Sequence, residues 1–199
     1  MPNDMPSHMP NRLEVRLSGT GGQGLITAGI ILAEASGIYD GKNVVQSEAF
    51  GAQSRGGASK ADVIISDGDD EGTFPEVTSP DILLAMSQPA ANTYGKDVKP
   101  GGMMVLDSFF VKQDPQTTAK VHNLPLTTIA REQTGMDIAA SIVGLGVISA
   151  LAGIVSRESL EKAVRVRSPK GFEEKNIDAL RAGFRAGDAL KGQSQQQLA

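Results

Sequence analysis

Residues 13–24 read LEVRLSGTGGQG, and the fold turns on how they are read. Leu13, Val15 and Leu17 alternate with Glu14, Arg16 and Ser18, the two-residue period of a strand, and glycines at 19, 21, 22 and 24 end it. From Leu25 the period changes. Leu25, Ile26, Ala28, Ile30, Ile31, Leu32, Ala33 and Ala35 make a mostly apolar helix that must be buried on several faces and that closes at Gly37. Strand, glycine loop and buried helix are the opening of a βαβ unit. A second glycine-bearing stretch, residues 48–62 (EAFGAQSRGGASKAD), echoes the first, so two backbone-rich loops can meet at one edge of a sheet.

Working outward, Val44 and Val45 form a short second strand, entered through the Asp40-Gly41 turn, and residues 61–66 a third. After the acidic turn DGDDEG, residues 82–86 are a continuous apolar run of the kind buried on both faces of a parallel sheet. Ser87 is placed to cap the next helix, with Pro89 tolerated in its first turn. Residues 103–106 and 121–124 supply two more strands. Strands alternating with helices predict an α/β fold: a mainly parallel, Rossmann-like sheet in three layers, with helices on both faces, as a single domain. That domain is expected to span 13–191, between a disordered leader (1–12) and a disordered tail (192–199).

Residues 138–155 carry no charge, but their Gly, Ala and Ser content makes them weakly hydrophobic for a membrane span. A core helix is the better reading, and Gly144 and Gly146 would let another backbone approach. Ser156 then caps a following helix, with Glu158 and Glu161 early in it, and Ile177, Leu180 and Phe184 fall at the spacing of a last amphipathic helix.

Composition narrows the chemistry. With 199 residues and a net charge of -4 the chain suits one full-sized domain and lacks the basic stripe of a general nucleic-acid binder. Cysteine is absent, which removes disulfides, thiolate nucleophiles, zinc CxxC sites and Cys-ligated iron–sulfur clusters. The first residues lack the basic start and apolar core of a signal peptide, so a cytoplasmic protein is expected. His122 reads as structural, His8 lies in the leader, and Asp67, Asp69, Asp70 and Glu71 lack the ligand spacing of a calcium loop, so no metal site is expected.

Gly19, Gly21 and Gly24 satisfy G-x-G-x-x-G between a strand and a helix. A dinucleotide site also wants an acidic residue ending the second strand; Asp40 comes too early in topology and Glu48 late in spacing. NAD or FAD binding, another anion, and a structural turn all remain open on the pattern alone. Ser54, Arg55, Gly56 and Gly57 add a guanidinium on a backbone-exposing loop, which suits phosphate.

Four ordered motifs, GTGGQGLITAGIILAEA (19–35), EAFGAQSRGGASKADVIIS (48–66), SPDILLAMSQPAA (79–91) and KPGGMMVLDS (99–108), resemble the gamma subunit, or gamma domain, of the 2-oxoacid:ferredoxin (acceptor) oxidoreductases. One departure is SIVGLG at 141–146, where that family usually has Asn-Met-Val-Ala-Leu-Gly. The resemblance implies a subunit of an enzyme that oxidatively decarboxylates a 2-oxoacid to an acyl-CoA and passes electrons to ferredoxin or another acceptor, 2-oxoglutarate being the favoured substrate. It places thiamine diphosphate between alpha and beta parts and iron–sulfur clusters in beta or delta parts. The gamma part contributes to the coenzyme A site. The glycine loop (Gly19, Gly21, Gly22, Gln23, Gly24) would then receive one CoA phosphate on backbone N–H groups and Ser54, Arg55 and Gly56 another, with no catalytic residue from this chain. Two rivals stay open: a free-standing NAD- or FAD-binding Rossmann protein, and a subunit whose loops only brace the complex.

Overall fold

The computed structural model describes residues 12–50, 58–67 and 76–196. Outside them lie residues 1–11 of the expected leader, the loop residues Ser54, Arg55 and Gly56, most of the acidic cluster and the last three residues. Six strands, β1 (Arg12–Thr20), β2 (Asn43–Phe50), β3 (Ala58–Ser66), β4 (Ile82–Ala85), β5 (Met103–Asp107) and β6 (Lys120–Leu124), form one sheet in the order β2-β3-β1-β4-β5-β6. Around it stand α1 (Leu25–Glu34), α2 (Gln88–Tyr94), α3 (Leu126–Thr134), α4 (Ala140–Ala152), α5 (Arg157–Arg167) and α6 (Glu173–Gln196).

The α/β expectation holds, with one strand reversed. β1, β4, β5 and β6 pair in parallel, whereas β3 is antiparallel to both β1 and β2. Residues 51–57 are the whole connection from β2 to β3, too short for the roughly dozen residues of a parallel crossover. The chain therefore turns back as a hairpin and β3 inserts between β2 and β1. β2, antiparallel to β3, runs in the same direction as β1.

Helices cover both faces, unequally. Leu13, Val15 and Leu17 of β1, Ala61, Val63 and Ile65 of β3, and Ile82 and Leu84 of β4 pack beneath α1 and α3 to α6 in the main core. The opposite core is smaller: Leu83, Ala85, Met104 and Leu106 meet Ala90 and Ala91 of α2, with Val98 and Val111. α1 continues past Gly37 as a π-helical turn, Ala35–Tyr39, and the chain reverses instead at Gly41, whose φ is 70°. Asp40 explains the extension. Its carboxylate accepts from the Ser156 N–H (2.7 Å), the Ser156 hydroxyl (2.8 Å) and the Ser159 hydroxyl, tying the end of α1 to the start of α5. Partial burial pushes that carboxyl up, but the Ser159 and Ser156 hydrogen bonds outweigh it and hold it below the usual carboxylate range.

The uncharged stretch is core: every residue of α4 from Ala140 to Leu151 is buried. α6 lies directly on it. A Cβ on Gly146 would come within 2.9 Å of Gly183 Cα, so glycine on both helices sets this close approach. No helix among the described residues is long and apolar enough to cross a membrane. Ser87 and Ser156 cap α2 and α5 through their side chains, as their positions predict. α6 runs to Gln196, beyond the last apolar position of its amphipathic pattern, through residues that are mostly good helix formers.

The polar face of β1 is buried too, contrary to what alternation suggests. Arg16 faces Asp62 directly across the antiparallel β1/β3 pair, its Nε donating to Oδ1 at 2.7 Å and its Nη2 to Oδ2 at 2.9 Å. The two side chains are 4% and 3% exposed. Arg16 also donates to the Val77 carbonyl and lies 4.9 Å from the Tyr94 ring centre, and Lys60 reaches Asp62 at 3.0 Å. Burial alone would lower the guanidinium's pKa; the hydrogen bond and charge of Asp62 reverse that. Asp62→Asn, which leaves Arg16 charged and poorly paired, is expected to cost about 3–5 kcal/mol in urea unfolding. The double variant Arg16→Met/Asp62→Leu is expected to recover most of that loss, because it removes both buried charges.

Candidate functional site at the carboxyl edge of β1

β1 and β4 are neighbouring parallel strands, and the helices that follow them, α1 and α2, lie on opposite faces of the sheet. Such a topological switch point opens a crevice at the carboxyl ends of the two strands, where α/β sheets bind ligands. The glycine loop stands there. Its geometry assigns the glycines different tasks.

Gln23 folds its side chain back into the crevice. Its Oε1 accepts from the Thr20 N–H at 2.7 Å and its Nε2 donates to the Met86 carbonyl at 2.8 Å, joining the ends of β1 and β4. The Gln23 N–H donates to the Thr20 carbonyl at 3.3 Å. Gly19 makes room for this clamp: a Cβ there would overlap Gln23 Oε1 and come 2.7 Å from Leu25 Cδ1. Gly19 and the Gln23 side chain therefore shape the loop, while the remaining glycines present backbone. Gly22 (φ 92°) and Gly24 (φ 76°) are in the left-handed region that favours glycine.

Gly24 is also the N-cap of α1, so no side chain caps that helix, and its first turn contains no acidic residue. The first helical hydrogen bond runs from the Ala28 N–H to the Gly24 carbonyl at 2.9 Å. The amides of Leu25, Ile26 and Thr27 have no partner among the described residues, and Gly21 and Gly22 are exposed beside them. These amides and the positive end of the helix dipole form a basin suited to an anion. α4 and the turn before it close one side: the Cβ position of Gly24 lies 3.0 Å from Ser141 Oγ of the helix and 3.4 Å from the carbonyl oxygen of Ile138 in the turn.

The second loop departs from the same edge. Thr20 is paired with Ala58 and Gly19 with Ser59, while Phe50 at the end of β2 is paired with Ser59. β2 thus ends and β3 begins level with the glycine loop, and Ser54, Arg55 and Gly56, which lie between them in sequence, are outside the described residues. The acidic residues weighed for a ribose stand elsewhere. Glu48 is on β2, two strand spacings or about 10 Å from β1 because β3 intervenes. Asp40 precedes β2 at the opposite edge and is occupied by Ser156 and Ser159. The sheet therefore lacks the arrangement a dinucleotide fingerprint requires.

Other polar groups at this edge are engaged. Buried Asp107 accepts from the Phe109 N–H (3.1 Å), the Thr127 N–H (3.3 Å) and the Thr127 hydroxyl, capping α3. His122 lies in the middle of β6, away from this edge, and is held below its ordinary pKa by burial and by Lys120. The inward turn of Gln23, the burial of Arg16 and the approach of Ser141 were not evident from the sequence. The signal that could have paired Arg16 is Asp62, an acidic residue within the third strand.

Comparison with known proteins places this architecture. The family model for pyruvate ferredoxin/flavodoxin oxidoreductase matches residues 14–186. The 2-oxoglutarate synthase subunit KorC of Methanocaldococcus jannaschii is 45% identical over 181 residues, covering 90% of this chain and 96% of that protein. Among solved structures, the gamma subunit of keto/oxoacid ferredoxin oxidoreductase from Geobacter sulfurreducens superimposes with a TM-score of 0.79 at 45% identity, over 89% of this chain and 99% of that one. The 2-oxoglutarate:ferredoxin oxidoreductase of Magnetococcus marinus, solved with 2-oxoglutarate, coenzyme A and succinyl-CoA, shares the fold at 22% identity and a TM-score of 0.77, this chain matching 32% of that longer one. The chain belongs to the pyruvate ferredoxin/flavodoxin oxidoreductase family, as a gamma subunit of a multi-subunit 2-oxoacid:ferredoxin oxidoreductase.

Proposed function

We propose that this subunit binds and positions coenzyme A for the complex, and contributes no nucleophile or general base of its own. The observation that carries the proposal is the uncapped start of α1 beneath Gly21, Gly22 and Gly24. Coenzyme A brings a pyrophosphate and a ribose phosphate, and the amides of Gly21, Gly22 and Gly24, with those of the first turn of α1, suit one of them. Gly19 and Gln23 fix the loop's shape. Ser54, Arg55 and Gly56, on a loop anchored at the same edge, would take another phosphate, the arginine through its two-pronged fork. When bound, coenzyme A supplies the thiol that accepts the acyl group. This chain's contribution is to orient that cosubstrate, catalysis by positioning.

In this reading thiamine diphosphate belongs between the alpha and beta subunits and the iron–sulfur clusters to beta or delta subunits, with ferredoxin or another carrier taking the electrons. The absence of cysteine from this chain fits that division of labour. The kinship with a 2-oxoglutarate synthase subunit favours 2-oxoglutarate as substrate. A free-standing NAD- or FAD-binding protein is disfavoured by the place of β3, which separates β2 from β1.

Two measurements on the assembled complex test the proposal. Arg55→Ala is expected to raise KM for coenzyme A about tenfold, in line with the loss of one charge-assisted phosphate contact, with KM for the 2-oxoacid little changed. An unchanged KM for coenzyme A would refute the phosphate role. Across pyruvate, 2-oxoglutarate, branched-chain and aryl 2-oxoacids, coenzyme A-dependent dye reduction is expected to have its highest kcat/KM with 2-oxoglutarate; a preference for any other refutes the substrate assignment.

A further inference from the structure

β2 and β6 form the two edges of the sheet, and they differ in how they meet solvent. β6 is five residues long, begins with Lys120 and runs straight into Pro125, features that discourage pairing with another strand. β2 is eight residues long and contains no proline, glycine, lysine or arginine. Its Asn43, Val45, Ser47, Glu48 and Ala49 are exposed. Val45 is 41% exposed on an apolar strand position, and the turn leading into the strand adds Ile38 at 70% and Tyr39 at 36%. An edge of this length with apolar surface, no proline and only one charged residue, Glu48, is a template for addition of a strand that meets that charge.

The charge pattern selects the strand that fits. A two-fold axis perpendicular to the sheet keeps each side chain on its own face and pairs residues of a strand with those of its copy in antiparallel order. With the axis through Val45, Val45 meets its own counterpart, Val44 meets Gln46, and Lys42 meets Glu48 at both ends. Moving the axis to Ser47 sets Glu48 against Gln46 and leaves Lys42 beyond the opposed stretch, and an axis at Glu48 sets the two Glu48 residues against each other. Among the described residues neither Lys42 nor Glu48 is held in a tight ion pair: the Lys42 ammonium is 3.8 Å from an exposed Asp67 carboxylate, and Glu48 accepts from Gln46 at 3.1 Å. We propose that β2 is a self-association edge, on which two copies of this chain pair antiparallel about a two-fold axis through Val45 to make one continuous sheet.

The absence of cysteine makes the test direct. Opposed residues in antiparallel strands hold their Cβ atoms about 4.5–5.5 Å apart, close enough for a disulfide after a small adjustment. Mild oxidation of the purified full chain is expected to convert Val45→Cys to a covalent dimer, and to leave Ala49→Cys, exposed on the same face but opposite Gly41 of the second copy, monomeric. In sedimentation equilibrium the unaltered chain is expected to dimerise. Glu48→Lys should weaken the dimer about tenfold, since two pairs change sign at once, and Lys42→Glu/Glu48→Lys should restore it. A monomeric unaltered chain with no covalent dimer from Val45→Cys overturns the proposal and leaves the edge to a different subunit. Equal cross-linking of Ala49→Cys overturns it as well, since that outcome reports collision rather than docking.

Discussion

The contact between Arg16 and Asp62 fixes where everything else at the carboxyl edge can be. The two residues face each other across β1 and β3 at the centre of the sheet, buried, with two hydrogen bonds between them. Replacing such a pair by apolar side chains often costs little, so its value lies less in stability than in register. A slip of one residue would turn Asp62 to the opposite face, into the apolar core beneath α1, and leave Arg16 buried without its counter-charge. With the register so fixed, Thr20 and Ala58 stand level, and the two glycine-bearing loops begin at the same height.

From that register follows a division of labour among the glycines. Gly19 yields its space to Gln23, whose amide joins the ends of β1 and β4 and holds the loop to one shape. Gly22 and Gly24 supply left-handed backbone, and Gly24 starts α1 without a capping side chain. With glycine at the N-cap, the missing side-chain cap costs only about a few tenths of a kcal/mol and leaves the amides of the first turn available to a ligand. The Asp40 tie at the far end of α1 and the packing of α1 on β3 hold the helix in place from elsewhere.

Local patterning carried much of this architecture. The strand period of Leu13, Val15 and Leu17, the caps Ser87 and Ser156, the uncharged core helix and the glycine loop could all be read directly, because each depends on neighbours in sequence. What could not be read depended on pairing between distant segments. The reversal of β3 follows from the shortness of residues 51–57, but the third strand's apolar run, Val63 to Ile65, resembles that of a parallel strand. Strand alternation marks Arg16 only as a polar position; its burial against Asp62 and Tyr94 comes from segments distant in sequence. In the site, the spacing of Gly19, Gly21 and Gly24 pointed to an anion yet could not separate nucleotide from coenzyme A; the separation of β2 from β1 by β3 is a property of topology alone. Gln23 was legible as part of the loop, and its inward turn was not.

The proposed hold of the α1 start on coenzyme A is tested by hydrogen–deuterium exchange on the assembled complex, without altering a residue. Saturating coenzyme A is expected to slow exchange at the amides of Gly21 to Thr27, and in peptides that contain Arg55, while peptides from the far end of α1 stay unchanged. Exchange at residues 21–27 that is the same with and without coenzyme A, under conditions where the complex turns over with it, would contradict the claim.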